Sequence, residues 1–346
     1  MSRSRYVMIV FVAALIAAML ASESATGQEA AGGLLDRVKE RGTLICGVNN
    51  VLPGFGYIDA DTGEVTGFDP DFCRAIAAAI FGDATKVQFV PLTAQERLTA
   101  VQTGAVDVLI RNTTHTLTRD TENGMDYGPT TFYDGQGMMV RIADGYASID
   151  DMDGTSICVL AGTTTELNLA DQFAARGLTY EPVVYDTGEA TIRGLEEGRC
   201  DGLTSDKSQL ASLRSATADP SVYTILPDVM SKEPLGPVYL QGDPQWADVV
   251  NWVVWGTMQA EEFGITSQNI QDFMSSENPE VRRFLGLEEE LGAKLGLSND
   301  FMVNVITQVG NYAEIYERNL VPIGLEARGL NALWKDGGAL YPPAWR

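Results

Sequence analysis

The chain has 346 residues, 45% hydrophobic and 21% charged, which is a globular composition on a length that suits two domains. Its formal net charge of −23 at pH 7 argues against a nucleic-acid partner, whose phosphates need Lys and Arg, and against an anionic membrane surface. With one His and four Cys, no spacing suits a zinc site, and no metal is expected.

Arg3 and Arg5 precede an uncharged apolar run, Tyr6 to Ala21, and Ala25-Thr26-Gly27 puts small residues before a cut at Gln28. This is the pattern of a secretory signal peptide over 1–27. The competing reading is a membrane anchor, for which the run is short. Export makes disulfides the expected state of Cys46, Cys73, Cys158 and Cys200. Three pairings are open, and proximity along the chain favours Cys46–Cys73 and Cys158–Cys200.

Leu34 to Arg41 has helical spacing and stops at Gly42. Thr43–Val48 reads as a strand, followed by a loop carrying Leu52, Phe55 and Tyr57. A helix opens at Phe68, with Asp69 as its expected N-cap and Pro70 at its first position, and Gly82 closes it. A strand at 86–90, a helix at 93–103 and a strand at Val106–Ile110 follow. The alternation predicts an α/β domain with a largely parallel sheet. Hydroxyl and amide side chains then crowd into Asn112–Thr118, and Arg119 ends the run. A guanidinium can grip a carboxylate by a two-point fork while hydroxyls supply further donors. Taken alone, the stretch reads more readily as a Thr-rich loop with a surface Arg.

The pattern then restarts. Strands are expected at Gly135–Arg141 and Ser156–Leu160. The second leads into Gly162-Thr163-Thr164-Thr165-Glu166, the spacing of a capping box. The free N–H groups of such a helix start can bind an anion, or the motif is a plain cap. Cys200–Thr204 is a further strand, with Asp206 just beyond it. Trp246, Trp252 and Trp255 lie on a long amphipathic helix and are read as core packing. The tail from Glu288 is too polar for a domain of its own and is expected to drape over one lobe.

Ligands of open α/β sheets bind beyond the carboxyl ends of the strands. Three polar groups fall at such ends: the Thr cluster with Arg119, the Gly162–Thr164 helix start, and Asp206. Together they suit a zwitterion, its carboxylate held by Arg119, Thr114 and the Thr164 N–H, its ammonium by Asp206.

Four motifs in this order carry a resemblance: G-F-D-P-D-F-C-R-A-I-A (67–77), T-H-T-L-T-R (114–119), G-T-T-T-E (162–166) and G-R-C-D-G-L-T-S-D (198–206). The chain resembles the family 3 periplasmic solute-binding proteins, the polar amino-acid receptors of ABC importers. Further stretches, among them S-K-E-P-L-G-P (231–237), G-N-Y-A-E-I-Y-E-R-N (310–319) and A-R-G-L-N-A-L-W (327–334), resemble the general L-amino-acid receptors of α-proteobacteria.

The resemblance implies a two-lobed type II periplasmic binding protein. Lobe 1 would hold 28–137 and 238–346, with the tail from about 288, and lobe 2 would hold 138–237. Crossings would lie at Gly135–Arg141 and Pro234–Gln241. It also implies a monomer that takes up L-amino acids without a cofactor and delivers them to a permease and ATPase pair in the inner membrane. Carried over by residue, Arg119, Thr114 and Thr164 would hold the ligand carboxylate, and Asp206 and Asn112 the ammonium. Asn49 and Phe55 would meet the side chain. Ala94 and Leu52 fall where relatives place larger rings, which would widen the pocket. His115 would point away from the clamp into a packing or rim position. The rival is an enzyme on the same fold, of the cyclohexadienyl dehydratase kind.

Overall fold

The structure, a computed structural model, describes residues 32–122 and 124–346. The signal peptide expected over 1–27 lies outside them.

Fourteen strands are described: β1 (Leu44–Val48), β2 (Val51–Leu52), β3 (Gly56–Ile58), β4 (Val65–Thr66), β5 (Val87–Pro91), β6 (Val108–Leu109), β7 (Met125–Tyr127), β8 (Phe132–Arg141), β9 (Thr155–Leu160), β10 (Tyr180–Tyr185), β11 (Gly202–Asp206), β12 (Tyr223–Ile225), β13 (Lys232–Leu235) and β14 (Val238–Leu240). Two sheets organise the molecule, with strand orders β5-β1-β6-β14-β7 and β10-β9-β11-β8-β12. In the first, β1 runs parallel to β5 and β6, and β14 is antiparallel to β6 and β7. In the second, β9 runs parallel to β10 and β11, while β8 is antiparallel to β11 and β12. Both sheets are mixed because the chain leaves and re-enters the first sheet once.

That crossing falls at a different place from the one expected. The first part of β8 pairs with β13, Phe132 opposite Leu235 and Gly135 opposite Lys232. From Gln136 onward β8 pairs with β11 instead. The two crossing segments are therefore Phe132–Gly135 and Lys232–Leu235, because β8 is one continuous strand that begins before its glycines.

The helix Phe68–Phe81 covers the first sheet. Its N-cap is Gly67, not Asp69. A Cβ at Gly67, whose φ is +135°, would lie 2.4 Å from the Phe55 carbonyl oxygen, so only glycine fits. Asp69 turns inward instead, 3% exposed, and its carboxylate accepts the Asn112 backbone N–H at 2.7 Å. The expected cap has become a tie between this helix and the end of β6.

Phe55 packs edge-on to Phe132 and Phe68, with centroids at 5.3 and 5.9 Å, and is fully buried. Expected beside a ligand side chain, it belongs instead to the core and lines neither cavity of the cleft between the sheets. Ring burial against neighbouring aromatics stabilises more than an exposed contact would, which accounts for its inward turn.

The tail, expected to drape over one lobe, packs beside the first sheet and also fills positions in its core. Helices Phe301–Gln308 and Tyr312–Leu320 pack on Phe68–Phe81, and Phe301, Ile306, Tyr312 and Tyr316 are buried. Tyr312 donates from its hydroxyl to the Thr131 carbonyl at 2.7 Å. Asn331 bonds both the N–H (2.7 Å) and the carbonyl (3.1 Å) of Tyr133 on β8. Trp345 packs on Trp252 and Phe284. Of the three Trp read as core, Trp246 is fully buried, and Trp252 and Trp255 are partly buried against the hydrophobic core. The disulfides are Cys46–Cys73, joining β1 to the helix above it, and Cys158–Cys200, joining β9 to the turn before β11.

Candidate functional site

The cleft lies between the two sheets, at the carboxyl ends of β6, β9 and β11. Contacts across it hold it closed. Ser212 donates to the Pro53 carbonyl at 2.6 Å, Asn112 Nδ2 donates to Gln209 Oε1 at 3.1 Å, and the Thr114 and Thr164 hydroxyls stand 3.5 Å apart.

The inner part of the cleft is lined by Arg97, Arg111, Asn112, Thr114, Thr164 and Asp206, among others. Thr114 sits just past β6, bridged to Leu235. Arg119, on the short helix Leu117–Glu122, is buried behind it and donates from Nη1 to the Thr114 carbonyl at 2.9 Å. Thr164 opens the helix Thr164–Arg176. The Thr163 hydroxyl accepts the Glu166 N–H at 3.2 Å, while the Glu166 carboxylate reaches back to the Gly162 N–H, so half of the expected capping box forms.

Asp206 ends β11 and is 6% exposed. Burial pushes its carboxyl well above the usual range; Asp134 and Glu233 push the same way, and Arg97 and Arg119 oppose them. Burial also raises Asp134 to about 6, against hydrogen bonds from Ser208 and Gly135. Asp69 is raised to about 7 by burial, against the Asn112 N–H and Arg111.

Two arginines that sequence reasoning passed over face the same space. Arg97, 3% exposed, donates to the Asn112 carbonyl at 3.2 Å, and its Nε is buried without a partner. Its pKa falls well below the usual range through burial first, then through repulsion by Arg111 and Arg119. Arg111 donates from Nε to the Leu92 carbonyl at 2.7 Å and is lowered to about 10, chiefly by burial. None of Arg97, Arg111 and Arg119 forms an ion pair among the described residues. In A-Q-E-R-L-T, Arg97 looks like a surface residue. The only hint was Arg111, placed directly after an apolar strand.

Asn112 lines the cleft, but its amide is engaged, accepting from Asn49 Nδ2 at 3.3 Å and donating to Gln209. Its carbonyl takes Arg97. Asn49, Leu52 and Ala94 line an adjoining cavity of about 150 Å³ that shares Arg111, Leu160 and Gln209 with the inner part. Asp186 and Glu189 stand at its exposed side. His115 stacks on Tyr127 at 4.2 Å, with its side chain 45% exposed, and lines neither cavity. Among the described residues no His, Cys, Asp and Glu cluster suits a metal, and no helix is long and apolar enough to cross a membrane.

The arrangement has known counterparts. Residues 44–269 match the profile of the bacterial extracellular solute-binding proteins, family 3. The chain is 49% identical to the general L-amino acid-binding periplasmic protein AapJ of Rhizobium johnstonii, over 96% of this chain and 98% of that one. It is 48% identical to the glutamate/glutamine/aspartate/asparagine-binding protein BztA of Rhodobacter capsulatus, covering 92% and 94% of the two chains. A solved periplasmic binding protein of an ABC transporter from Brucella ovis, with glutathione bound, superposes with a TM-score of 0.89 at 49% identity, covering 91% of this chain and all of that one. The fold is the two-lobed type II architecture of periplasmic binding proteins, and the chain belongs to the bacterial extracellular solute-binding proteins of family 3.

Proposed function

We propose that this protein is the periplasmic receptor of an ABC importer and captures L-amino acids of broad side-chain type. One observation carries the reading. A closed cleft is lined by Arg97 and Arg111, with Arg119 buried just behind Thr114, none of the three ion-paired among the described residues, and the same cleft is lined by the buried carboxylate of Asp206. Buried charges are expensive unless paired, and a zwitterion supplies the missing partner to both poles. Arg119 and the Thr114 and Thr164 backbone N–H groups take the α-carboxylate, with Arg97 beside them. Asp206 takes the ammonium, with any remaining acceptor capacity of Asn112. The side chain enters the adjoining cavity beside Asn49, where Arg111 and the outer acids Asp186 and Glu189 offer both signs of charge. The ligands named for the relatives share a free α-amino-acid end, glutathione included. Those relatives are binding proteins, and the enzyme reading has no support from them.

Residues 1–27 act as the signal peptide in this reading, and the mature chain works as a monomer that hands its ligand to a permease and ATPase pair. Lobe 1 comprises 28–137 and 238–346, and lobe 2 comprises 138–237. The membership of the two sheets supports this division, with the crossing itself a few residues earlier, at Phe132–Gly135. The lobes close by hinge motion, favoured by contacts that only the closed form makes.

The test is calorimetry with glutamate, glutamine, leucine and histidine on wild type and Asp206→Asn. Each charge-assisted hydrogen bond contributes about 1.5–3 kcal/mol, so the variant should bind all four about 10- to 100-fold more weakly. Equal affinity in the variant would refute the ammonium assignment. Mass spectrometry of the ligand released on denaturing purified protein should find an unmodified amino acid.

A further inference from the structure

Glu233 belongs to none of the groups assigned above, yet it touches three of the parts that must move. It lies on β13 opposite Asp134 and is 1% exposed. Its Oε2 accepts from the Thr114 hydroxyl at 2.7 Å and from the Thr164 hydroxyl at 2.9 Å. Its Oε1 accepts from Asn168 Nδ2 at 2.8 Å and from the Ser231 hydroxyl. Thr114 follows β6 of the first sheet. Thr164 and Asn168 are on the helix that follows β9 of the second. Ser231 is beside the crossing strand. No Lys or Arg forms an ion pair with Glu233 among the described residues, so these four neutral donors satisfy it.

We infer that Glu233 is a positioning residue: a latch on the crossing strand that ties both lobes together when the cleft closes and sets the direction of the two threonine hydroxyls. The inference rests on the binding function proposed above. Two consequences follow from the chemistry of the donors. Opening the cleft takes either Thr114, or Thr164 and Asn168, away from the carboxylate. These bonds therefore belong to the closed form and shift the equilibrium toward it, with or without ligand. A threonine hydroxyl has one proton. With the protons of Thr114 and Thr164 given to Glu233, both oxygens face the cleft as acceptors. Their side chains then serve the ammonium pole, and the carboxylate is left to Arg119 and to backbone N–H groups.

The test combines stopped-flow binding of glutamine with the distance between spin labels placed one on each lobe, in the ligand-free protein. Glu233→Ala should raise the dissociation rate at least about tenfold, leave the association rate within about threefold, and lengthen the ligand-free distance. Unchanged dissociation and unchanged distance would overturn the latch, as would an affinity loss lying wholly in association. Should Glu233→Ala not fold, Asn168→Ala decides. It removes one arm from lobe 2 without touching the ligand cleft and should still raise dissociation about three- to tenfold, and an unaltered rate would overturn the inference. Where both fold, the double variant should fall short of the product of the single effects; independent effects would contradict a shared carboxylate. If wild type binds no amino acid, the proposed function fails, while the ligand-free distances still decide the latch.

Discussion

Among individual residues, the informative ones are charged and hidden. Arg97, Arg111 and Arg119 repel one another around the cleft, and Asp134 pushes against Asp206 near them. Such groups are set for a partner rather than for stability. Asp69 differs, since it is buried as part of the fold. Its carboxyl is raised to about 7 from an ordinary 3.8, so between those values the folded state keeps a proton that the unfolded chain has released. The stability this group contributes is full below the lower value and is lost as pH rises toward the upper one. Asp69→Asn removes the effect while keeping an oxygen for the Asn112 N–H. In urea titrations of ligand-free protein from pH 5 to 7, wild type should lose stability relative to the variant at about 1.4 kcal/mol per pH unit. A difference that stays constant with pH would show that Asp69 is ionised throughout.

For the elements, local chemistry explains most beginnings and ends, and the exceptions come from packing. The helix Thr164–Arg176 starts at Thr163 and stops at Gly177 in the left-handed region, as its residue types dictate. The helix Phe68–Phe81 starts at Gly67 because the chain there presses against the Phe55 carbonyl. Gly67→Ala should therefore cost about 1–3 kcal/mol or more. Gly42→Ala, also at positive φ but with no atom within 4 Å, should cost only about 1 kcal/mol. Chemical denaturation of the two variants gives the comparison, and equal costs would mean that backbone conformation alone, without the clash, sets the penalty. The crossing strands show the same lesson. The glycines at 135 and 137 looked like a strand start, but the pairing of Phe132–Gly135 with Lys232–Leu235 is a property of two segments about a hundred residues apart.

Across the whole molecule, the tail is part of the core beside the first sheet. Tyr312 and Tyr316 complete the aromatic cluster around Phe68, and Trp345 fills the space between Trp252 and Phe284. Truncating one such buried ring to Ala costs about 3–5 kcal/mol, against a total stability of about 5–15 kcal/mol. Deleting residues 289–346 should therefore abolish cooperative folding. Circular dichroism and thermal unfolding of the truncated chain check this, and a soluble product with a sharp transition would show the tail to be an appendage.

The sequence by itself determined the α/β order and the family, favoured the two disulfide pairs that form, and singled out Thr114, Thr164 and Asp206, which line the cleft, and Arg119, which lies behind Thr114. These were legible because helix and strand periods, caps and short motifs are local, and because the Cys partners are near in sequence. Only the tertiary structure decided that Phe55 and the tail belong to the core, that Asp69 ties a helix to β6, that Arg97 and Arg111 face the cleft, and that Glu233 joins the lobes. Each of these depends on what a side chain meets when segments far apart in the chain are packed together. A residue type says what a side chain can bond, and the closed fold decides which partner is within reach.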